Sequence, residues 1–135
     1  MRALLFPVIT CLVTMIAFAE TDLPSFKWKN RVLVVLAPSD RDPRLLEQQA
    51  TAAGAATGFS ERDLLVVAET GTEGPLHRMF STKVGDFQVA LIGKDGRSAF
   101  QCSKPVNSEI LFSIIDKMPM RREEIRQQRK GGAPL

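Results

Sequence analysis

Residues 87–101, FQVALIGKDGRSAFQ, constrain the fold more than any other stretch. Phe87, Val89 and Leu91 alternate with Gln88, Ala90 and Ile92. Period-two placement of aromatic and β-branched residues is the signature of a strand. Both faces are largely apolar, so this strand belongs inside a sheet covered on its two sides. Gly93-Lys94-Asp95-Gly96 interrupts the run, and Asp-Gly between strand-like segments marks a hairpin, because Gly96 can adopt the positive φ of the turn. Residues 97–102 then form the return strand, with Ser98, Phe100 and Cys102 expected on one face. Gly93-Lys94 superficially resembles a phosphate loop. That motif needs G-x-x-x-x-G-K-[ST] between a strand and a helix. The spacing is absent here, and a second strand follows.

The chain has 135 residues, enough for one domain. A net charge of +3 is too small to imply a nucleic-acid partner. The first 19 residues stand apart from the fold. Arg2 precedes an apolar run over residues 3–18, broken only by Pro7, Thr10 and Thr14, and Ala17-Phe18-Ala19 has small residues where a signal peptidase reads them. This predicts a secretory signal peptide cleaved after Ala19, a periplasmic or secreted protein, and no transmembrane segment once the leader is gone. Cys11 lies inside the apolar run rather than at its end, which argues against a lipoprotein signal. Cleavage leaves Cys102 as the single cysteine, so the domain expected over residues 20–130 has no internal disulfide and depends on packing.

Phe26 and Trp28 alternate with Lys27 and Lys29, as in a short edge strand or a lid on the core. RVLVVLA, residues 31–37, is a buried central strand ended by Pro38. Asp42 before Pro43 is an N-cap followed by proline at the first helical position. A helix is predicted over 44–56, with Leu45, Leu46, Gln49, Ala50, Ala53 and Ala56 as its inner stripe and Gly58 as its stop. LLVVA, 64–68, is a second strand. Strand, helix, strand in this short compass is a βαβ unit with parallel strands.

Residues 69–86 read as a long connection with one helical turn near 76–80. Glu69, Glu73 and His77 are four apart, yet Gly71, Gly74 and Pro75 oppose a helix that would align them, and no His- or Cys-rich ligand set accompanies them. After the hairpin, Asn107 caps a helix over 108–118 with Ile110, Leu111, Ile114, Ile115 and Met118 inward. Pro119 opens a basic helix over 120–130, with Arg121, Arg122, Arg126 and Arg129 as a surface patch, followed by a disordered tail over 131–135.

The order β, α, β, long connection, hairpin, α is that of a minimal thioredoxin-like α/β fold. It has a central mixed sheet of βαβ unit plus β-hairpin, flanked by helices, with an extra C-terminal helix. The segments FKWKNRVLVVLAPSDRDPRLLEQQ, ERDLLVV, FQVALIGKDGRSAF and IDKMPMRREEI resemble a family of exported bacterial domains of unknown function. The module is also similar to the one repeated in vertebrate extracellular proteins of the equarin and sushi-repeat group. The resemblance implies a thioredoxin- or peroxiredoxin-like fold and brings no activity with it. In thioredoxin-like enzymes the reactive cysteines sit after the first strand of the βαβ unit, at a helix N-terminus that favours thiolate. This chain has Pro38, Ser39, Asp40, Arg41 and Asp42 there, and no proline directly precedes Phe87.

Three functions compete. The first is a non-catalytic binding or structural module for a protein or envelope component, with Ser39, Asp40, Arg41 and Asp42 as its binding edge. The second is a thiol-dependent oxidoreductase or peroxide-handling protein using Cys102, although a lone cysteine on an apolar strand face is usually an inert core residue. The third is attachment to an anionic surface through the basic helix. With no catalytic constellation and no metal, nucleotide or cofactor motif, the sequence favours the first.

Overall fold

A computed structural model describes residues 23–131. The predicted leader with its cleavage site, and the tail beyond Gly131, lie outside the described residues. Four strands form one sheet: β1 (Arg31–Ala37), β2 (Leu64–Thr70), β3 (Gln88–Ile92) and β4 (Ser98–Cys102), in the order β2-β1-β3-β4. β1 and β2 run parallel, with Leu36 beside Glu69, while β3 is antiparallel to both β1 and β4. This is the expected thioredoxin-like sheet.

The unbroken apolar character of β1 has its reason in two cores. Leu33, Val35 and Ala37 join Val89 and Leu91 on one face. That face is covered by α1 (Pro43–Gly54), α2 (Ala56–Glu61) and α4 (Ser108–Asp116), through Leu45, Ala52, Phe59, Leu111 and Ile115. Val32, Val34 and Leu36 join Val67, Ala90 and Ile92 on the other face, under Leu76 of α3 (Pro75–Met79) and Phe80. α5 (Pro119–Gly131) follows α4 directly.

Local chemistry sets the boundaries. Asp42 accepts from the Arg44 amide and caps α1, with Pro43 behind it, and Asn107 accepts from the Ile110 amide and caps α4. Gly96, at φ 81°, closes the hairpin, where its amide donates to the Gly93 carbonyl.

The structure corrects several expectations. Residues 23–26 form a 3₁₀ turn, not an edge strand; of the two aromatics Phe26 lies on the second core as a lid would, while Trp28 is exposed. The inner stripe of α1 is Leu45, Gln48 and Ala52, and Leu46, Ala50 and Ala53 face outward. Gly58 does not stop the chain but lies within α2, where a Cβ would meet the Phe112 ring at 2.6 Å. Ile110 is turned away from the core, and Phe112 packs inward instead. In β4 a register shift leaves Ala99 without a partner. Ser98 therefore pairs with Ile92, on the face opposite Phe100 and Cys102. Gly131 closes α5 rather than opening a tail.

Candidate functional site

The corner after β1 is where sequence reasoning placed a binding edge. Ser39, Asp40 and Arg41 are exposed, and the Ser39 hydroxyl accepts from the Arg41 amide. Asp42 is fully engaged. Beyond the cap, its two oxygens receive Arg44 Nε at 3.0 Å and Nη2 at 2.7 Å. The Arg44 guanidinium, which also lies over the Phe87 ring at 5.2 Å, holds the Asp42 carboxyl down at about 2 against an ordinary 3.8. No peptide bond among the described residues is cis. The corner is thus a capped, ion-paired helix start with no thiol, beside which the Asp40 carboxylate is exposed.

Cys102 pairs with Val89, level with Val35 near that same end of the sheet. It is half-buried on the edge strand and packed against the first core beside Phe100.

On the other face, Glu69 and His77 do meet, although no helix aligns them. Glu69 Oε1 accepts from the His77 amide at 2.8 Å and lies 2.6 Å from Nδ1, while Oε2 accepts from the Leu76 amide. Burial would raise the Glu69 carboxyl, but bonds from the His77 backbone and ring and from Leu76 outweigh it and hold it below the usual range. Gly74 allows this approach, since a Cβ there would fall 2.0 Å from Glu69 Oε1. Glu69 therefore serves as the cap of a five-residue helix. Among the described residues, no group of three or more His, Cys, Asp or Glu is arranged to hold a metal ion.

These carboxylates make the fold acid-sensitive. A carboxyl with a depressed folded pKa contributes stability above its unfolded pKa and loses it as pH falls through the folded value. For Asp42 that window runs from about 4 to about 2. The thermal midpoint is therefore expected to fall between those pH values, and less steeply in Asp42→Asn, which keeps a capping oxygen but binds no proton there. Equal slopes in circular-dichroism melts of the two proteins would contradict this.

The basic helix differs most from expectation. Arg121 is not a surface residue. It is buried, donating to Asp116 at 3.2 Å and to the Glu61 carbonyl at 3.0 Å. Arg126 pairs with Glu123. Arg122 and Arg129 are exposed. The organising residue is Glu124, which no motif in the sequence singles out. Arg31 at 3.2 Å, Lys94 at 2.6 Å and Arg121 at 3.7 Å all converge on its carboxylate. Burial would raise Glu124, but hydrogen bonds from Lys94 and Arg31 prevail and lower it. Lys94 reaches Asp63 as well, at 2.9 Å.

Beside this cluster, at the end of the sheet opposite the Ser39–Asp42 corner, lies a groove of about 410 Å³. Its apolar walls come from Trp28, Ala99, Met118, Pro119 and Met120, and its polar lining from Arg31, Lys94, Asp95 and Arg97. A mostly apolar cavity of this size with a few convergent polar groups is the usual form of a small-ligand site. No motif announced it, because its residues come from three separate segments, 28–31, 93–99 and 118–120. The one available signal was Trp28, an indole in a polar stretch.

Among the described residues, no helix is long and apolar enough to cross a membrane. The family model described as "Domain of unknown function (DUF4174)" matches residues 22–124. Among solved structures, the chain is similar to the reduced 2-Cys peroxiredoxin of Plasmodium vivax, at 14% identity and TM-score 0.61, over 76% of this chain and 85% of that one. It is also similar to thioredoxin peroxidase I of Plasmodium yoelii, at 14% identity and TM-score 0.58, over 86% and 84% of the two chains. Prx1a of the same organism, modified at its N-terminus, aligns at 15% identity and TM-score 0.55, over 86% and 84%. At such identities the likeness is one of fold.

Proposed function

The chain belongs to the DUF4174 family of domains of unknown function, and on that premise we propose that it is an exported binding module which keeps a thioredoxin-like fold and does no thiol chemistry. One observation carries the reading: the corner that in thioredoxin-like enzymes holds a reactive cysteine is here closed by the Asp42–Arg44 pair. An aspartate fixed by its own cap neither attacks an electrophile nor welcomes an anion. Serine there has no adjacent histidine or lysine to activate it. Cys102 belongs to another strand, against apolar neighbours rather than at a helix N-terminus. Export is part of the proposal and is supported by the apolar leader with Ala17-Phe18-Ala19. The groove beside Trp28 takes the place of the corner as the binding surface.

The folded domain is expected to consume hydrogen peroxide, in the presence of a dithiol, no faster than its Cys102→Ser variant. Iodoacetamide should label Cys102 slowly until the chain is denatured. Peroxide turnover that disappears in Cys102→Ser would overturn the reading and establish a peroxide-handling enzyme.

A further inference from the structure

The groove beside Trp28 has a polarity of its own. Arg31 is 0% exposed, and its Nε–H has no hydrogen-bond partner, although its terminal nitrogens reach the Arg62 carbonyl and Glu124. A buried unsatisfied donor is costly, and this one belongs to a side chain that lines the cavity. Lys94 has three N–H donors and spends two, on Asp63 and Glu124. The Arg97 guanidinium, at the groove mouth, forms no ion pair among the described residues. The carboxylates nearby are already committed. Glu124 serves three cations, Asp63 serves Lys94, and Asp95 accepts from the Arg97 amide within the turn. One end of the groove therefore carries donors without partners, on cations whose charges Asp63, Asp95 and Glu124 balance.

The other end is apolar and open. Trp28 is 61% exposed and Met120 38%, and Pro119 also lines the groove. Trp28 has φ 70°, a conformation unusual for a bulky residue, and its amide donates to the Lys94 carbonyl at 2.6 Å. The indole is thus held at the rim by the same residue that supplies a donor at the floor. Strained backbone that presents an aromatic ring to solvent fits a ligand clamp better than a core.

We propose that the groove binds a small amphipathic organic anion, a carboxylate on an apolar chain. Its acid head meets Arg97 and the spare N–H of Lys94, and its apolar body lies against Trp28, Pro119 and Met120. Charged hydrogen bonds fix the head, and removal of apolar surface from water supplies much of the affinity. This rests on the binding-module reading and adds the class of ligand.

Trp28 is the only tryptophan and the chain has no tyrosine, so its emission reports on the groove directly. Octanoate, kept below its micellar range, is the probe, and 1-octanol is its neutral counterpart. Octanoate is expected to change Trp28 emission saturably and to bind more tightly than octanol. Arg97→Ala should weaken octanoate about tenfold or more and leave octanol unchanged, since Arg97 is exposed and its loss spares the fold. Met120→Ala should weaken both. The proposal is overturned if emission does not saturate, if octanol binds as well as octanoate, or if Arg97→Ala leaves octanoate affinity intact. None of those results touches the peroxide assay, which alone decides whether the domain is an enzyme.

Discussion

Glu124→Ala is expected to lower unfolding free energy by about 3–5 kcal/mol, measured by urea titration at neutral pH. The size comes from what the substitution leaves behind. Arg31 is wholly buried at the start of the central strand, and Lys94 is nearly so in the turn after β3. In the intact protein bonds to Glu124 and Asp63 outweigh burial and hold the Lys94 ammonium above its ordinary 10.5, and the substitution removes the first of them. Deleting the carboxylate they share leaves cations in a poorly solvated site with only the Arg62 carbonyl and Asp63 as compensation. Because α5 is tied to the sheet largely through this carboxylate, the same variant should lose helical signal before global unfolding. Arg126→Ala removes an exposed pair on the same helix and should change stability by less than about 0.5 kcal/mol. Equal effects from the two substitutions would show that the buried cluster adds no more than a surface pair.

The contrast between those two residues shows what the sequence could and could not disclose. Strand polarity was readable because period and composition fix it locally: β1 is apolar at every position but its first, and the Asp-Gly turn leaves little choice of pairing for β3 and β4. The caps at Asp42 and Asn107 were readable for the same reason, since each acts within three residues. Ion-pair partners were not. Arg31, Lys94 and Glu124 are 93 and 30 positions apart along the chain, and nothing in a run of charges tells a solvated arginine such as Arg122 from a buried one such as Arg121. The groove was hidden for that reason too. So was the Glu69–His77 pair, which a strand end and a separate short helix bring together without the helical spacing that would have signalled it.

The stripe of α1 slipped by one position for a different reason, and that slip marks a second large effect. Reading Gln49 as inward follows from grouping it at helical spacing with Leu45, Leu46, Ala50, Ala53 and Ala56. In the structure Gln48 is 0% exposed, and its side-chain amide imitates a backbone partner. Oε1 accepts from the Val106 amide at 2.7 Å, and Nε2 donates to the Val106 carbonyl at 3.0 Å. Val106 lies in the segment between β4 and α4, buried and without a neighbouring strand to take those groups. Gln48→Ala should therefore cost about 2–6 kcal/mol from two orphaned backbone groups at about 1–3 kcal/mol each, and the cavity adds to it. Gln48→Leu refills most of the volume and restores neither bond, so it should remain nearly as destabilised as the alanine variant. Gln49→Ala, one position along, should shift the urea midpoint little. Recovery of stability in Gln48→Leu would mean that volume rather than hydrogen bonding holds the β4–α4 segment on the helix. The pair of bonds would then be incidental to the way α1 and α4 share one face of the sheet.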